Sequence, residues 1–315
     1  MSQLFNELSF IRWLGPFLAP KVSDADSSER PLIGDDCAVL PGKGGPDLLV
    51  TTDMLMEGSC FLLDRPDSYW RVGRKAMSVN LSDIAAMAGT PRYAFVSLGL
   101  PKTALEDDVQ SLMKGISERA STFGVVIAGG DTNVWDGGLT VSLTLVGHCG
   151  PWGPVRRSGA KAGDGLFVTG SLGGSILGHH LNFMPRVAEA HGLCGIGPVS
   201  AMIDISDGFA LDLHRLAAAS SVGAEVWADR IPISPAALGM NDSKTPLRHA
   251  LTDGEDFELL FAASRDVGDR LLKAAAAGTL GFPVTQIGKI VDAGMTLVEN
   301  GVARPLLPEG YVHSS

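Results

Sequence analysis

The chain has 315 residues, 45% of them hydrophobic and 19% charged, which is typical of a folded globular protein and long enough for two domains. The formal net charge of −10 comes without any cluster of Lys and Arg, and this argues against binding to the phosphate backbone of a nucleic acid.

The first 14 residues, MSQLFNELSFIRWL, predict an amphipathic helix without the basic start and apolar core of a signal peptide. No run of about 18 apolar residues follows, so no membrane-spanning helix is predicted. Four widely spaced cysteines indicate neither a zinc ribbon nor a disulfide framework: Cys37, Cys60, Cys149 and Cys194. We therefore expect a cytoplasmic protein without membrane partners.

The N-terminal half alternates apolar strands with helical patterns. The strands are predicted at residues 47–53, 93–101, 124–131 and 139–147, and the helices at 67–88 and 103–123. The last strand, LTVSLTLVG, alternates as a half-buried strand does, which favours an antiparallel or mixed sheet. A stretch rich in Gly, Pro and basic residues follows at 147–164 and predicts a domain boundary, giving domains at 1–150 and 151–315.

The C-terminal half also mixes both element types. Strands are predicted at GLFVTG, AMIDIS, AEVWA, DFELLFAA and VTQIGKI, and helices after Ser171, Asp207 and Ser264. The fold class predicted for the whole chain is therefore α/β (α+β), with two mixed domains.

Acidic residues flanked by Gly, Ser or Thr recur where apolar strands end. They occur in VTTD (Thr51, Thr52, Asp53), IAGGD (Gly130, Asp131), IDISDG (Asp204, Ser206, Asp207), LTDGEDFEL (Asp253, Glu255, Asp256) and IGDDCAVL (Asp35, Asp36). Each alone has an ordinary explanation as a turn residue, or as a helix cap in the case of Asp207. Together they suggest a site, because loops at strand ends are where α/β proteins bind ligands.

The segment KAMSVNLSDIAAMAG, from Lys75 to Gly89, predicts a buried helix that nonetheless carries Asn80 and Asp83 on one face. A buried carboxylate needs a partner, and converging carboxylates with hydroxyl neighbours favour Mg²⁺.

The seven histidines lie apart from the acidic motifs in the sequence, which favours phosphate handling over a metal-bound hydroxide. GGSILGHH has the spacing of a P-loop but has His in place of its Lys, so it is discounted.

Taken together, the motifs resemble those of the thiamine-monophosphate kinase family, in the superfamily of aminoimidazole-ribonucleotide synthetase. The resemblance rests on IGDDCAVL, TTDMLMEGSCF, KAMSVNLSDIAAMAGTP, IAGGDT, RRSGAKAGD, DISDGFALDL, GEDFELLF and a terminal GY. It implies an N-terminal domain whose four-stranded sheet pairs with that of a second copy to form a barrel, and a C-terminal α/β domain beside it. It also implies a homodimer that transfers the γ-phosphoryl group of ATP to thiamine monophosphate, with several Mg²⁺ ions.

The resemblance also assigns residues position by position. Its metal ligands correspond to Asp36, Thr51, Thr52, Asp53, Asp83, Asp131, Asp204 and Asp207. Its ATP contacts correspond to Gly130, Asp131, Arg157 and Ser206, and its thiamine contacts to Cys60, Glu255 and Tyr311. The catalytic role is implied for Asp36, Asp53, Asp83, Asp131 and Asp207. The acceptor phosphate is largely dianionic at neutral pH and needs no general base, which would explain why no His or Lys accompanies the acids.

Two departures from the family pattern concern the acceptor. Cys60 stands where the family usually has His, and HHLNFMPRV, with Asn182 and Phe183, replaces a stretch that contains Arg-Pro. Cys60 is either a neutral replacement or part of a changed pocket.

Two alternatives to the kinase are an enzyme of the same fold with another acceptor, and a nucleotide-binding protein without catalysis. Without the resemblance, Glu255 would be a turn residue, Tyr311 part of a terminal tail, and Arg157 a solvated linker charge.

Overall fold

The computed structural model describes residue 10, residues 13–14 and residues 33–312. Apart from three of its positions, the helix predicted for residues 1–14 lies outside the described residues. Among the described residues, no helix is both long enough and apolar enough to cross a membrane.

The N-terminal half consists of a mixed sheet covered on one face by two helices. In chain order its elements are β1 (Ala38–Leu40), β2 (Leu48–Met56), α1 (Ser68–Ala86), β3 (Gly89–Pro101), α2 (Glu106–Thr122), β4 (Val126–Trp135) and β5 (Thr140–Cys149). The strand order is β1-β2-β5-β3-β4, with β3 and β4 parallel and the other pairs antiparallel. Within the described residues this sheet has five strands instead of the expected four, because the short β1 joins its edge.

The strict alternation of β5 explains how the sheet presents two different faces. Successive residues of β5 alternate between buried and partly buried, as its sequence predicted. The neighbouring β2 alternates in the same way, so Thr51 faces the core whereas Thr52 faces outwards.

The two helices α1 and α2 pack very closely, and glycine makes this possible. A Cβ atom on Gly73 would lie 2.1 Å from the carbonyl oxygen of Leu112, and one on Gly115 would lie 2.1 Å from that of Trp70. These contacts hold α1 against the sheet, where its Met77, Leu81 and Ile84 side chains are fully buried.

The C-terminal half is a seven-stranded mixed sheet, within the described residues, with helices around it. Its elements are β6 (Gly165–Thr169), α3 (His179–Asn182), α4 (Val187–Ile196), β7 (Ala201–Asp204), α5 (Phe209–Ser220), β8 (Gly223–Trp227), α6 (Pro235–Gly239), α7 (Pro246–Thr252), β9 (Leu259–Ala263), α8 (Arg265–Ala276), β10 (Val284–Val291), β11 (Met295–Glu299) and β12 (Val302–Pro305). The strand order is β12-β11-β8-β10-β6-β9-β7.

The helix expected directly after Ser171 is only a 3₁₀ turn (Ser175–Leu177) followed by the four-residue α3. Gly173, Gly174 and Gly178 all have positive φ angles, which a continuous right-handed helix cannot accommodate. The segment is therefore a loop that folds back onto the end of the sheet.

The C-terminal end of α1 also packs against the second sheet. Ala85, Ala86 and Ala88 pack in one core cluster with Met202 and Phe261 of the second sheet. Because α1 is clamped in this way, the polar residues on it are placed at the junction of the two sheets.

Candidate active site

Three carboxylates from distant parts of the chain converge at this junction. Asp36 precedes β1, Asp83 lies near the end of α1, and Asp204 is the last residue of β7. One oxygen of each lies within 4.8 Å of the others. Asp36 and Asp204 are buried, and Asp83 is partly exposed.

Hydroxyl and guanidinium groups hold these carboxylates in place. The hydroxyl of Thr51 donates to Asp83 Oδ2, and that of Ser82 donates to Asp204 Oδ2 over 2.5 Å. Arg157 Nη2 forms an ion pair of 2.6 Å with Asp36 Oδ1. The alternative explanation of Arg157 as a solvated linker charge is therefore wrong.

Asp53 and Asp207 extend the acidic cluster. Burial, reinforced by repulsion from Asp207, raises the pKa of Asp53 to about 6. Asp207 is joined to Arg215 by an ion pair of 2.6 Å, and Arg215 also contacts Asp212 at 2.6 Å. Asp212 accepts hydrogen bonds from the main-chain N–H groups of Ser206 and Asp207, so it shapes the turn that carries both.

The donor set fits a hard divalent cation. Burial, together with repulsion from Asp36 and other acids, raises the pKa of Asp83 and of Asp204 well above the ordinary range. Asp36 Oδ2 and Asp53 Oδ2 are buried without a hydrogen-bond partner among the described residues, an arrangement that costs several kcal/mol unless a cation meets them. Carboxylate and hydroxyl oxygens are the ligands that Mg²⁺ prefers, so these residues fit Mg²⁺.

A cavity of about 680 Å³ adjoins this cluster and lies between the two halves of the chain. Its wall contains Asp53, Ser206 and Asp207, which were assigned to the metal and ATP, together with all three residues assigned to the acceptor: Cys60, Glu255 and Tyr311. The cavity is thus large enough for a drug-sized ligand.

Tyr311 is held in this wall, so the alternative explanation of it as a terminal tail residue is wrong. Its main-chain N–H donates to the carbonyl oxygen of Asp207 over 2.8 Å, and its hydroxyl lies 3.5 Å from Ser59 Oγ. The side chain is half exposed to the cavity.

A residue that was not predicted lies behind the cavity wall and contacts two of the residues that line it. Lys75 on α1 is fully buried, and its ammonium donates to Glu255 Oε1 over 2.5 Å. The expectation that no Lys accompanies the acids is therefore wrong. The two residues are 180 positions apart, so only the fold brings them together.

The statement that the histidines lie apart from the acids is also wrong in three dimensions. His249 lies in the cavity wall, with Nδ1 2.8 Å from Asp253 and Nε2 3.1 Å from Asp242. Lys244 also pairs with Asp253, at 2.9 Å. The carboxylate of Asp253 thus links His249 to Lys244 in the cavity wall.

Three predicted residues do not join the cluster within a single chain. Thr52 faces the outer side of the sheet, where its hydroxyl accepts a hydrogen bond from Thr144. Gly130 and Asp131 lie on β4, an edge strand three positions from β2 in the sheet, or about 14 Å away. Asp131 is exposed, and its carboxylate accepts a hydrogen bond from Asn133.

The divergent stretch at residues 182–184 lies behind the cavity wall. The ring of Phe183 is buried and stacks on that of Phe257 at 4.0 Å, and Phe257 lines the cavity. Met184 contacts Arg119 instead, with 2.9 Å between its sulfur and Nη1. This stretch therefore affects the pocket through the packing of Phe257.

Two family models match the chain over most of its length. The model described as AIR synthase related protein, N-terminal domain, matches residues 34–149, and the corresponding C-terminal domain matches residues 155–299. These ranges correspond to the two sheets.

Similar proteins include several named thiamine-monophosphate kinase. Thiamine-monophosphate kinase of Rhodopirellula baltica is 43% identical over 297 residues, covering 89% of this chain and 90% of the relative. Thiamine-monophosphate kinase of Methanospirillum hungatei is 37% identical, covering 90% and 96%. A solved structure described as AaThiL complexed with AMPPCP and TMP superposes with a TM-score of 0.84, at 27% identity and 99% coverage of both chains. The chain belongs to the thiamine-monophosphate kinase family.

Proposed function

We propose that the protein is a kinase that transfers the γ-phosphoryl group of ATP directly to thiamine monophosphate, giving thiamine diphosphate, with Mg²⁺ bound by the acidic cluster. The observation that carries this proposal is the shared cavity, whose wall joins the acidic residues to the three residues expected around the acceptor. The names of the similar proteins support the same reaction.

Asp36, Thr51, Asp53, Asp83, Asp204 and Asp207 would hold the cations. When bound, Mg²⁺ supplies the positive charge that lets two phosphate groups approach each other. Without such charge, like charges at about 4 Å repel by several kcal/mol at an intermediate dielectric constant.

The chain's own residues then position the reactants and add charge. Arg157 is held by Asp36, and its Nε is buried without a partner among the described residues. Its guanidinium can therefore donate a hydrogen bond to a phosphate near the cluster. Ser206 lies in the cavity wall on the turn shaped by Asp212. Because the acceptor is already an anion, no residue needs to remove a proton from it.

We further propose that Asp131, Gly130 and Thr52 act in a homodimer. The outer face of the first sheet exposes large apolar side chains: Met54, Met56, Tyr93 and Phe95. Asp131 lies opposite the exposed Ser97 in the strand register, and Thr52 points to the same outer face. A second copy that covers this face and completes a barrel would enclose both residues in the interface.

The division into domains and the location are proposals as well. We place the domain boundary at residue 150, between the ATP- and Mg²⁺-binding half at 1–150 and the second α/β half at 151–315. We place the reaction in the cytoplasm, a reducing compartment that suits the four free thiols.

The experiment is to incubate the purified protein with ATP, Mg²⁺ and thiamine monophosphate, and to measure thiamine diphosphate by chromatography. We expect one thiamine diphosphate formed for each ADP. Consumption of ATP only with a different acceptor would replace this proposal with an enzyme of the same fold, and tight ATP binding without turnover would replace it with a non-catalytic relative.

A further inference from the structure

Lys75 is a fully buried charged residue that lies behind the wall of the cavity. Its side chain is 0% exposed, and its ammonium bridges the two halves of the chain. It donates to Glu255 Oε1 over 2.5 Å and to the main-chain carbonyl oxygen of Cys60 over 2.7 Å. Cys60 and Glu255 are both cavity-wall residues.

A buried ammonium is retained only with good partners, because its desolvation costs several kcal/mol. Among the described residues, Glu255 is the carboxylate that pairs with Lys75. No other cationic side chain in the described part of the chain forms an ion pair with Glu255. Lys75 and Glu255 are therefore each other's single charged partner within those residues.

The main chain at Glu255 adopts a conformation that needs support. Its φ angle is +65°, in the left-handed region that residues other than glycine rarely adopt, and Phe257 has a φ angle of +50°. The N–H of Glu255 donates to the carbonyl oxygen of Ser206 over 2.7 Å. Such strain persists when neighbouring contacts enforce it, and it is common in ligand-binding segments.

The ion pair leaves part of the Glu255 carboxylate available. Its side chain is 33% exposed, and no described residue donates a hydrogen bond to Oε2. Lys75 thus occupies one oxygen of a partly exposed carboxylate whose residue lines the cavity. The same helix places Lys75 about 12 Å along its axis from Asp83, so one rigid element spans the acceptor pocket and the acidic cluster.

We propose that Lys75 is a positioning residue for the acceptor. It orients Glu255 so that one carboxylate oxygen meets an N–H donor or the positive charge of a cationic heterocyclic acceptor, and it fixes the main chain of Cys60 in the same pocket. This proposal rests on the proposed function, since thiamine monophosphate is an acceptor of that chemistry.

The test compares Lys75→Met with Arg71→Met. Arg71 lies one turn earlier on α1 and forms a surface ion pair of 2.6 Å with Asp67, so its variant is a matched control. For Lys75→Met we expect the KM for thiamine monophosphate to rise about tenfold or more, the loss expected for a charged hydrogen bond, with the KM for ATP changed by about twofold at most. Arg71→Met should change neither value.

Glu255→Gln supplies the second arm, because it removes the same ion pair from the other side and keeps Lys75 in place. If Lys75 acts through Glu255, the double variant should show about the same KM for thiamine monophosphate as the worse single variant. If Lys75→Met does not fold, Lys75→Gln is measured in the same cycle. Binding of thiamine monophosphate by calorimetry, without ATP, provides a readout independent of turnover.

The outcomes separate the two proposals. An equal rise of both KM values, or multiplicative effects in the double variant, would contradict a positioning role for Lys75 even if the wild type is fully active. A wild-type protein that neither binds nor phosphorylates thiamine monophosphate would overturn the proposed function, and the role of Lys75 with it.

Discussion

Ser82 on α1 donates a hydrogen bond of 2.5 Å to Asp204 at the end of β7, and this bond joins the two halves of the chain next to Asp83. Helix α1 is packed against the first sheet, and β7 is the edge strand of the second. The acidic cluster is therefore held by two rigid elements, as a site for positioning phosphates requires. Because the supporting elements are rigid, we expect that single side chains of the site can be replaced without loss of the fold.

The first prediction concerns Asp83→Asn. We expect phosphoryl transfer to fall by about 100-fold or more, because the amide removes a negative charge from the set that would hold the cations. The melting temperature should stay within about 3 °C of the wild type, because the amide oxygen still accepts the hydrogen bond from Thr51. Turnover and thermal unfolding measure the two effects. Asp292→Asn, at an exposed position, is the control. Full activity of Asp83→Asn would exclude Asp83 as a metal ligand.

The second prediction concerns pH and Mg²⁺. The folded-state pKa of Asp53 is about 6, above its ordinary value of 3.8, so between these values the folded protein binds more protons than the unfolded one. The free energy of unfolding in EDTA should therefore fall as the pH rises through this window. The expected loss from Asp53 is on the order of 1–2 kcal/mol, reduced by its partial exposure to the cavity.

Saturating Mg²⁺ should flatten this slope, because a bound cation favours the ionised carboxylates. Part of the slope should persist, since burial also raises the pKa of Asp212 and of Asp256 to about 7. Urea unfolding at several pH values, with Mg²⁺ and with EDTA, measures the difference. Identical slopes under both conditions would contradict cation binding at Asp53.

The third prediction concerns the thiols. Cys60 is partly exposed in the cavity wall, whereas burial raises the pKa of Cys149 to about 11 and of Cys194 to about 12, and Cys37 is fully enclosed beside Asp83. A small alkylating reagent should therefore modify Cys60 first and inhibit the enzyme. Thiamine monophosphate should protect it, as mass spectrometry can show.

Cys60→Ser is the matched variant, and it should resist this inhibition while its activity stays within about threefold of the wild type, because the two side chains are similar in volume. A large loss of activity in Cys60→Ser would instead indicate that the thiol itself is needed. First modification at Cys194 would contradict the accessibility argument.

The fourth prediction concerns the outer face of the first sheet. Phe95→Glu should convert the proposed dimer to a monomer, because it places a charge in the apolar surface proposed as the interface. Light scattering after size-exclusion chromatography measures the mass. Val302→Glu, at another exposed apolar position, on β12, should leave the mass unchanged. A wild type that is already monomeric would exclude the barrel.

Much of this arrangement was predictable from the sequence because its signals are local. Apolar runs that lead into Asp beside Gly, Ser or Thr marked β2, β7 and the turn after it, although β2 continues past Asp53 to Met56, and the apolar spacing marked α1. The alternation in β5 also predicted its half-buried position in a mixed sheet. Asp36, Asp83 and Asp204 do converge in the structure, and their role as metal ligands stays a prediction.

The unpredicted features depend on contacts between distant residues. The pairing of Lys75 with Glu255 follows from how α1 meets the second half of the chain, and nothing near Lys75 in the sequence indicates it. His249 is different, because one of its partners, Asp253, is only four residues away, so that contact was within reach of the sequence; its second partner, Asp242, is seven residues away in a loop. The loop after Ser171 resembled a helix because its apolar residues hid the effect of the left-handed glycines.

The most direct measurement is anomalous diffraction from crystals grown with Mn²⁺, a non-hydrolysable ATP analogue and thiamine monophosphate. We predict manganese peaks within about 2–2.5 Å of carboxylate oxygens of Asp36, Asp83 and Asp204, with the nucleotide phosphates bound to the same ions. Manganese and nucleotide bound elsewhere, with these three carboxylates contacting neither, would contradict the account.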